Sequence, residues 1–360
     1  MPSIEELRKR IDGIDDRLLD LLNQRAKLVI DIGKIKKKDN AELHVPQREK
    51  QIIERLASQN SGPFPNDSLR AVLREIFSAS LSLERPVKIA YLGPRATFSH
   101  LACLQRFGYS AHYVPVNSIK EVFAEVERGL AEYGVVPIEN STEGVVSYTL
   151  DMFMDSDLKI SGEVMLEVSH YLMNKTGRIE DVRKIYSHPQ PLAQCKNWLE
   201  NNMKGVAVAE TSSTTKAAEM ASEDPTLAAI ASRLAADLYG LRILRERIED
   251  YVNNYTRFLV ISKKSPARTG HDKTSILFSV KDRPGALYEM LRPFAERDIS
   301  LTKIESRPSR KKAWEYHFYV DMEGHYEDEK VRQAVEDLGK NCLFVKVLGA
   351  YPAADTAGGE

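Results

Sequence analysis

Five short polar clusters, each beside an apolar run, contain the residue types that could bind a small anion. They share hydroxyl, amide or carboxylate side chains next to a predicted strand, and they are GPRATFS (93–99), IENSTEG (138–144), SHPQ (187–190), ETSSTT (210–215) and NNYTRF (253–258). Hydroxyl groups and exposed backbone amides at helix starts bind carboxylates. For any one cluster, ordinary helix N-capping is the favoured interpretation. Five clusters within one segment favour a ligand that carries carboxylates.

Other kinds of site have weaker support. The chain contains neither G-x-x-x-x-G-K-[ST] nor G-x-G-x-x-G, so a nucleotide site is not expected. His188 stands apart from other metal-ligating residues, and Cys195 has no evident base nearby, which indicates a structural thiol. No cofactor and no metal are therefore predicted.

A different polar pattern occupies the first 85 residues. Arg25 falls on an apolar stripe with three- and four-residue steps, formed by Ile4, Leu7, Ile11, Ile14, Leu18, Leu21, Leu28, Ile32 and Ile35. A guanidinium there must be paired or must face a polar cavity. A buried ion pair and an arginine snorkelling at a bend are equally compatible with the spacing. Further polar residues in the same segment favour a cation-rich pocket that binds a small dianion. They are Arg8, Lys36, Arg48, Glu49, Ser80 and Glu84.

One long helix must position these groups. Ser3 and Glu6 form a capping-box pattern, and no proline interrupts residues 4–38. Such a helix is about 50 Å long, so an 85-residue unit cannot cover its apolar stripe alone. We therefore expect a homodimer formed through this helix, or a homotetramer of paired dimers. The run KIKKK (34–38) is interpreted as a solvated helix end, apart from Lys36.

Residues 1–85 resemble an all-helical chorismate mutase domain, whose substrate-binding positions match the seven polar residues Arg8, Arg25, Lys36, Arg48, Glu49, Ser80 and Glu84. The resemblance implies a pericyclic rearrangement of chorismate to prephenate, driven by a compact substrate pose and preset donors. It further implies that arginines, one of them from the partner chain, hold the two carboxylates. Lys36 would face the ether oxygen, and Glu49 would bind the hydroxyl.

Two positions depart from many members of that family. Val45 stands where they carry aspartate, and Glu84 stands where they carry glutamine. A carboxylate donates a hydrogen bond only when it is protonated. We therefore predict that mutase activity falls as the pH rises.

Pro86 ends the helical pattern, and strands and helices alternate through residues 86–264. We predict strands at 87–92, 111–115, 133–137, 163–173, 183–187, 205–209, 227–231 and 257–262. We predict helices around 99–107, 118–130, 145–154, 190–201, 214–222 and 232–239. The alternation indicates a two-lobed α/β domain, periplasmic-binding-protein-like, with a ligand site at strand ends.

This segment resembles prephenate dehydratase, on GPRATFS, VPIENSTEG, SHPQ and above all the triplet Thr256, Arg257 and Phe258. The resemblance implies loss of CO2 and of the ring hydroxyl from prephenate, giving phenylpyruvate. Thr256 is then the candidate donor to the leaving oxygen. Arg257 is a carboxylate clamp or a structural ion pair, and Phe258 packs on the ring or fills the core. Substrate contacts are expected from Glu139, Asn140, Ser141, Thr142, Ser187, His188, Gln190, Ser212 and Ser213. Glu139 is also a candidate acid.

Residues 265–271 are predicted to be a linker, and 272–350 to form a ferredoxin-like β-α-β-β-α-β module. The module resembles an ACT domain, an amino-acid sensor, although a plain dimerisation module has the same element order. DRPGALY (282–288) and ESRP (305–308) match phenylalanine-binding segments, and Gly285 would allow close backbone approach. The implied effector contacts are Asp282, Pro284, Gly285, Ala286, Leu287, Tyr288, Glu305, Ser306, Arg307 and Pro308. Residues 351–360 are assigned to a tail, which is expected to be disordered after Pro352.

The bulk composition agrees with a multidomain cytosolic protein. A net charge of −1 does not favour nucleic acid or a membrane as partner, and three distant cysteines favour a reducing compartment. We predict a bifunctional enzyme that converts chorismate to prephenate and then to phenylpyruvate, under feedback inhibition by L-phenylalanine. The alternative is a non-enzymatic small-molecule sensor with a helical dimerisation arm.

Overall fold

The computed structural model describes residues 2–38, 46–84, 86–280, 283–308 and 316–354. Val45, Asp282 and residues 355–360, on which predictions were made, lie outside the described residues. The chain divides into two compact units. One comprises residues up to 88 together with 107–112, and the other comprises 89–106 and 113–360.

The helical unit consists of α1 (Ile4–Lys38), α2 (Pro46–Gln59) and α3 (Asn66–Glu84). The predicted capping box is present, since Ser3 N donates to Glu6 Oε2 at 2.7 Å and Glu6 N to Ser3 Oγ at 3.2 Å. The last third of α1 contributes buried Val29 and Gly33, whereas most of its earlier apolar residues, including Ile4 and Leu21, are more than half exposed. In a single chain, therefore, most of the apolar stripe is open to solvent.

The second unit begins with a lobe built on a sheet of order β2-β1-β3-β11-β5, with β4 paired to β3. Its strands are β1 (Lys88–Leu92), β2 (His112–Val116), β3 (Tyr133–Asn140), β4 (Gly144–Val145), β5 (Lys159–Glu167) and β11 (Tyr255–Ser262). Its helices are α4 (Phe98–Phe107), α5 (Ile119–Glu127) and α6 (Ser147–Asp155).

The second lobe has a sheet of order β10-β6-β9-β7-β8. Its strands are β6 (Tyr171–Asn174), β7 (Lys184–Ser187), β8 (Ala207–Glu210), β9 (Leu227–Ala231) and β10 (Arg242–Arg245). Its helices are α7 (Pro189–Gln194), α8 (Lys196–Asn202), α9 (Thr214–Glu223) and α10 (Arg233–Tyr239), besides a 3₁₀ turn at Ile179–Asp181.

The C-terminal domain has the predicted β-α-β-β-α-β order, with strands in the order β13-β14-β12-β15. Its elements are β12 (Asp272–Val280), α11 (Ala286–Ala295), β13 (Leu301–Pro308), β14 (Tyr316–Glu323), α12 (Glu329–Gly339) and β15 (Phe344–Pro352). One face of this sheet packs on α11 and α12. The other face shares a core with the first lobe, to which it contributes Leu277, Tyr319, Leu348 and Tyr351.

The predicted fold class is confirmed, but several predicted elements are wrong. The single strand 163–173 is two strands, because the chain leaves the first sheet after Glu167 and enters the second at Tyr171. The helix 190–201 is two short helices, and β10 was not predicted. The triplet 256–258 lies inside β11, which begins at Tyr255, two residues before the predicted strand 257–262. IENSTEG does not start a helix either: β3 continues to Asn140, and a turn leads to β4.

Candidate functional site

The Arg25 side chain, on α1, is partly buried against α3. Its Nη1 donates to Ser80 Oγ, and its guanidinium carbon is 5.4 Å from the centre of the Phe77 ring, within cation–π range. Burial lowers the pKa of Arg25, while the negative charges of Glu49 and Glu84 oppose that shift. The arginine on the apolar stripe thus faces a hydroxyl, an aromatic ring and two acids.

Glu84 lies near the Arg25 guanidinium. Its Oε2 is 3.7 Å from Lys36 Nζ, a charge contact rather than a hydrogen bond. That oxygen is buried and has no hydrogen-bond partner in the part of the chain that the structure describes. Gly33 permits the close packing, since a Cβ there would lie 3.0 Å from Glu84 Cγ. A buried carboxylate oxygen of this kind is suited to meet a ligand.

Arg8 and Arg48 are exposed in the isolated chain. Arg8 lies in the same helix as Arg25 but about 25 Å away along its axis, at about 1.5 Å per residue. One small dianion cannot span that distance. Arg8 and Arg25 could serve the same ligand only if one of them came from another chain.

In the second unit, β11 runs between β3 and β5 and presents alternate residues to opposite faces. Thr256 lies beside Asn140 on one face, whereas Arg257 points to the face that meets the C-terminal domain. Phe258 is 2% exposed and belongs to the core. The three residues of the predicted triplet therefore lie in three different environments.

Asn140 organises the polar cluster on the Thr256 face. Its Nδ2 donates to Thr256 Oγ1 at 2.8 Å and to Asn254 Oδ1 at 2.7 Å. Its Oδ1 accepts from the backbone N and the hydroxyl of Thr142, at 3.0 and 2.6 Å, and from Glu143 N at 3.0 Å. Two backbone donors fix the orientation of the Asn140 amide. Because Thr256 accepts from it, the Thr256 hydroxyl hydrogen remains available for donation.

Sequence reasoning did not identify Gln194 and His170, which complete this cluster. Gln194 Nε2 donates to Glu143 Oε1 at 3.0 Å, and its Oε1 lies 2.7 Å from His170 Nε2 and 3.4 Å from Asn254 Nδ2. The acceptor Oε1 requires a hydrogen on His170 Nε2. Burial lowers the pKa of His170, against the opposing effects of Gln194 and Glu249. A neutral histidine and a glutamine from α7 thus join the second lobe to the turn after Asn140.

Asn254 was within a recognised cluster, NNYTRF, although no role was predicted for it. His170 and Gln194 carried no comparable signal, because neither belongs to a polar run next to a strand. Only the crossing of the chain between the two lobes brings them to Asn254. Ser141 closes the turn by accepting from Tyr255 N at 2.9 Å.

Several other predicted contacts have structural roles in the described chain. His188 and Ser213 are helix N-caps that accept from Gln190 N and Lys216 N, at 3.3 and 3.0 Å. Buried Ser187 donates to Ile230 O at 2.6 Å. The side chains of Gln190 and Ser212 are exposed. For His188 and Ser213, the capping interpretation is the one that the geometry favours.

The turn at 93–97 is tied to the second lobe. Thr215 Oγ1 donates to Arg95 O and Ser232 Oγ to Ala96 O, both at 2.8 Å. Two of the predicted polar clusters, GPRATFS and ETSSTT, are thereby brought together. They lie at the starts of α4 and α9.

Arg257 is enclosed by acids. Its Nε donates to Glu163 at 2.8 Å, and its Nη1 donates to Asp321 at 2.6 Å and to Glu139 at 3.2 Å. Nη2 donates to Tyr351 Oη at 3.1 Å. Burial by itself would lower the pKa of Arg257, but Tyr351, Asp321 and Glu163 outweigh it and raise that pKa well above the usual value. Of the two interpretations of Arg257, the geometry favours the structural ion pair.

Glu139 also lies away from the Asn140 cluster. The register between β3 and β11 slips next to Glu139, so that Arg257 faces Glu139 and Phe258 faces Pro137. The extra residue, Ile138, forms a β-bulge next to Glu139. The Glu139 carboxylate pairs with Arg257 and Lys303. As placed here, Glu139 is an ion-pair partner and not a neighbour of Thr256.

The predicted effector segments lie at one end of the C-terminal domain. Gly285 has φ of +79° and caps α11, with open space where a Cβ would stand. Leu287 and Tyr288 are exposed by 42% and 72%. Pro284, Ser306 and Pro308 are exposed as well, whereas Ala286 is buried and Glu305 and Arg307 are half-buried.

Within the described residues, both a metal-binding cluster and a membrane-spanning helix are absent. No cluster of three or more His, Cys, Asp or Glu side chains there is arranged to hold a metal ion. In the same residues, no helix combines the length and the apolar character needed to cross a bilayer.

Three family models match the chain in order: chorismate mutase type II over residues 7–85, prephenate dehydratase over 89–266 and the ACT domain over 274–340. A bifunctional chorismate mutase/prephenate dehydratase of Aquifex aeolicus is 54% identical, over 98% of this chain and 99% of that protein.

Solved structures are similar to the second unit. A prephenate dehydratase from Arthrobacter aurescens in complex with L-Phe is 34% identical to this chain, with a TM-score of 0.69. The match covers 76% of this chain and 92% of the chain in that structure. A quorum-quenching acylase, GqqA, is 32% identical to this chain, with a TM-score of 0.68. That match covers 74% of this chain and 98% of the chain in that structure.

Proposed function

The chain belongs to the family of bifunctional chorismate mutase/prephenate dehydratases, and from this premise we propose which residues carry each reaction. The helical unit rearranges chorismate to prephenate. The two-lobed domain then removes CO2 and the ring hydroxyl to give phenylpyruvate. The similarity to the Aquifex aeolicus enzyme along the whole chain is the observation that carries this function.

For the mutase step we assign electrostatic positioning to the pocket around Arg25. Arg25 and Lys36 supply positive charge on one side of the site, and Glu84 lies beside them. Arg25 clamps a carboxylate, and Lys36 faces the ether oxygen on which negative charge develops. Preset donors of this kind stabilise the transition state more than the ground state. Glu49 binds the substrate hydroxyl.

A dianion needs a second carboxylate clamp besides Arg25, and Arg8 is the proposed supplier from a second copy. Its exposed position at the start of α1, beside an uncovered apolar stripe, supports pairing of two chains along α1. Inactive Arg8→Ala and Arg25→Ala chains should then complement each other. Random mixing into two-fold dimers would restore up to roughly a quarter of wild-type mutase activity. Absence of any recovery in verified mixed dimers would contradict the shared site.

For the dehydratase step we assign the proton-donating hydrogen bond to Thr256. Its hydroxyl accepts from Asn140, which directs the remaining hydrogen outwards. Asn140, Ser141 and Thr142 bind the substrate with Asn254 and Gln194 as their support. A threonine hydroxyl is a weak acid, so its contribution is a hydrogen bond to the departing oxygen. Aromatisation of the ring supplies the driving force.

L-Phenylalanine is the proposed inhibitor, bound at the C-terminal domain next to Gly285 and residues 305–308. The open space at Gly285 and the exposed Leu287 and Tyr288 support a ligand there. A chain ending at residue 270 should lose the inhibition. Because the C-terminal sheet shares a core with the first lobe, the sharper test is Gly285→Ala in the full chain. Strain at its positive φ should weaken the inhibition.

Incubation with chorismate alone tests the whole proposal. Phenylpyruvate, measured by its absorbance in base, should accumulate without any added cofactor. A non-enzymatic sensor would leave chorismate unchanged. A Thr256→Val chain should stop at prephenate, and an Arg25→Ala chain should process only added prephenate.

We also propose a cytosolic location. Cys103, Cys195 and Cys342 are all unpaired thiols, as is usual in a reducing compartment. Fractionation of cells that express the chain would test the location.

A further inference from the structure

The turn that carries Asn140 lies between β3 and β4, and α6 follows directly. Residues 139–151 therefore form a continuous segment: the end of β3, the turn, β4 and the first half of α6. The polar cluster of the dehydratase site uses one side of this segment. The C-terminal domain contacts its other side.

β13 provides the first of these contacts. It is an edge strand, and its residues alternate between half-buried and exposed. Lys303 and Arg307, four positions apart, are both on the half-buried side, because every second residue of a strand points the same way. Lys303 Nζ pairs with Glu139. Arg307 Nη1 donates to Ser147 Oγ.

The two cations bracket the turn. Glu139 immediately precedes Asn140, and Ser147 is the first residue of α6. Arg307 Nη2 lies 3.4 Å from Asp151, one turn further along that helix. The ends of the segment are thus attached to one strand of the C-terminal domain, and Asn140, next to the first of these ends, donates to Thr256.

The rest of α6 is held by the same domain. Tyr319 Oη donates to Leu150 O at 2.7 Å. Lys346 Nζ donates to Ser156 O and Phe153 O, at 2.7 and 3.0 Å, at the C-terminal end of the helix. Carbonyl groups at that end lack partners within the helix, and a cation satisfies them. Since α6 is fixed along its length, displacement of β13 acts mainly on the turn.

We propose that Lys303 and Arg307 are positioning residues for the dehydratase reaction, which set the placement of Asn140 and through it the Thr256 hydroxyl. The strand that carries them ends in residues 305–308. A ligand there that favours another position of β13 would alter the Asn140–Thr256 pair, provided that it binds the two positions unequally. This part of the inference rests on the proposed phenylalanine site.

Lys303 gives the cleaner test, because Arg307 is itself a proposed effector contact. The Lys303 side chain is 12% exposed, so its ion pair is largely shielded from water. Lys303→Met removes the charge at similar length, and Glu139 keeps its contact with Arg257 Nη1 at 3.2 Å. The fold should therefore survive. Lys303→Arg is the conservative variant, and Lys340→Met, which removes an exposed lysine of the same domain, is the matched control.

The full-length variants are compared in three measurements: dehydratase kinetics with prephenate, phenylalanine binding by calorimetry, and inhibition by phenylalanine. For Lys303→Met we expect kcat to fall, with KM for prephenate changing less. The phenylalanine concentration for half-inhibition should rise about fivefold or more, a typical allosteric coupling. The dissociation constant of phenylalanine, measured by calorimetry, should change less than about twofold, which is well below that coupling. Lys303→Arg should restore both properties, and Lys340→Met should match the wild type.

The outcomes distinguish the positioning role of Lys303 from the proposed phenylalanine site. Unchanged kcat and unchanged inhibition in Lys303→Met would overturn the inference. An equal loss of phenylalanine binding and inhibition would also overturn it, because Lys303 would then belong to the effector site. If the wild type does not bind phenylalanine, the proposed effector function fails, while the fall in kcat and its rescue by Lys303→Arg still decide the positioning role. Ser147→Ala, which removes the Arg307 contact from the dehydratase side, should reproduce the weakened inhibition.

Discussion

Thr256 and Arg257 are neighbours in β11, yet their side chains act on opposite faces of the first-lobe sheet. The Thr256 hydroxyl lies 2.8 Å from Asn140 Nδ2, and the Arg257 guanidinium is bonded to Glu163 at 2.8 Å and to Asp321 at 2.6 Å. One strand therefore links the polar cluster to the sheet of the C-terminal domain. The two adjacent residues should respond to substitution in different ways.

Thr256→Val should abolish most dehydratase turnover and leave the fold intact. Valine has nearly the same shape as threonine, but it offers no hydroxyl. We expect kcat for prephenate to fall by about 10²–10³, the loss typical when one hydrogen-bond donor to a developing negative charge is removed. KM should change little, and mutase activity should be unaffected.

Thr256→Ser is the matched control for this substitution. It keeps the hydroxyl and should retain a substantial part of the turnover. Stopped chorismate reactions analysed for prephenate and phenylpyruvate check both steps in one assay. Turnover near the wild-type rate in Thr256→Val would remove Thr256 from the mechanism.

Arg257→Met should act chiefly on stability. It leaves Glu163, Glu139 and Asp321 buried or half-buried without their shared cation. Removal of one partner from a buried ion pair costs about 3–5 kcal/mol in the free energy of unfolding. Urea unfolding followed by circular dichroism measures this loss.

Arg292→Met is the control, because Arg292 pairs with Glu296 on the surface and both side chains are more than half exposed. It should unfold like the wild type. In the folded fraction of Arg257→Met, KM for prephenate should stay close to normal. A large rise in KM without loss of stability would instead indicate that Arg257 binds a substrate carboxylate.

The interpretations of Arg257 and Glu139 show what the sequence could and could not predict. Both residues were recognised as members of polar clusters, and the β strands around them were largely found. The direction of their side chains was not predictable, because it depends on the pairing of β3 with β11. The β-bulge beside Glu139 changes which residues share a face, and only the partner strand reveals it.

Part of the grouping predicted in the helical unit is present in the structure. Arg25 bonds to Ser80 and lies near Glu84, because residues at regular steps along α1 and α3 face each other where the two helices pack. The mutase role of these residues stays a prediction. His170 and Gln194 could not be found in the same way. They meet where the chain crosses between two lobes, and such long-range contacts leave no local periodic signal.

Glu84→Gln should raise the mutase rate. A carboxylate oxygen accepts hydrogen bonds, whereas the amide of glutamine also donates them. The buried Glu84 Oε2, which has no hydrogen-bond partner among the described residues, would be replaced by a group that can donate to the ether oxygen. Initial rates of chorismate loss compare the wild type with the variant, and an unchanged or lower rate would contradict the role assigned to Glu84.

His100 should make the second unit sensitive to acid. Its ring stacks on Tyr91 at 4.9 Å, lies edge-on to Tyr113 and accepts from Ala96 N through Nδ1 at 3.1 Å. Burial, together with the positive charge of Arg95, lowers the pKa of His100 to about 4. The folded state therefore resists protonation, whereas the unfolded chain protonates near the ordinary value of about 6.5.

As the pH falls from about 6.5 towards 4, the unfolded state takes up this proton first and the free energy of unfolding decreases. Above that window the contribution is fully present. His100→Phe keeps the aromatic stacking and removes the titration. It should be less stable than the wild type at pH 7, because Ala96 N loses its acceptor, but its melting temperature should drop less between pH 7 and pH 4. Scanning calorimetry at several pH values measures both effects, and equal drops for the two proteins would show that His100 is not the titrating group.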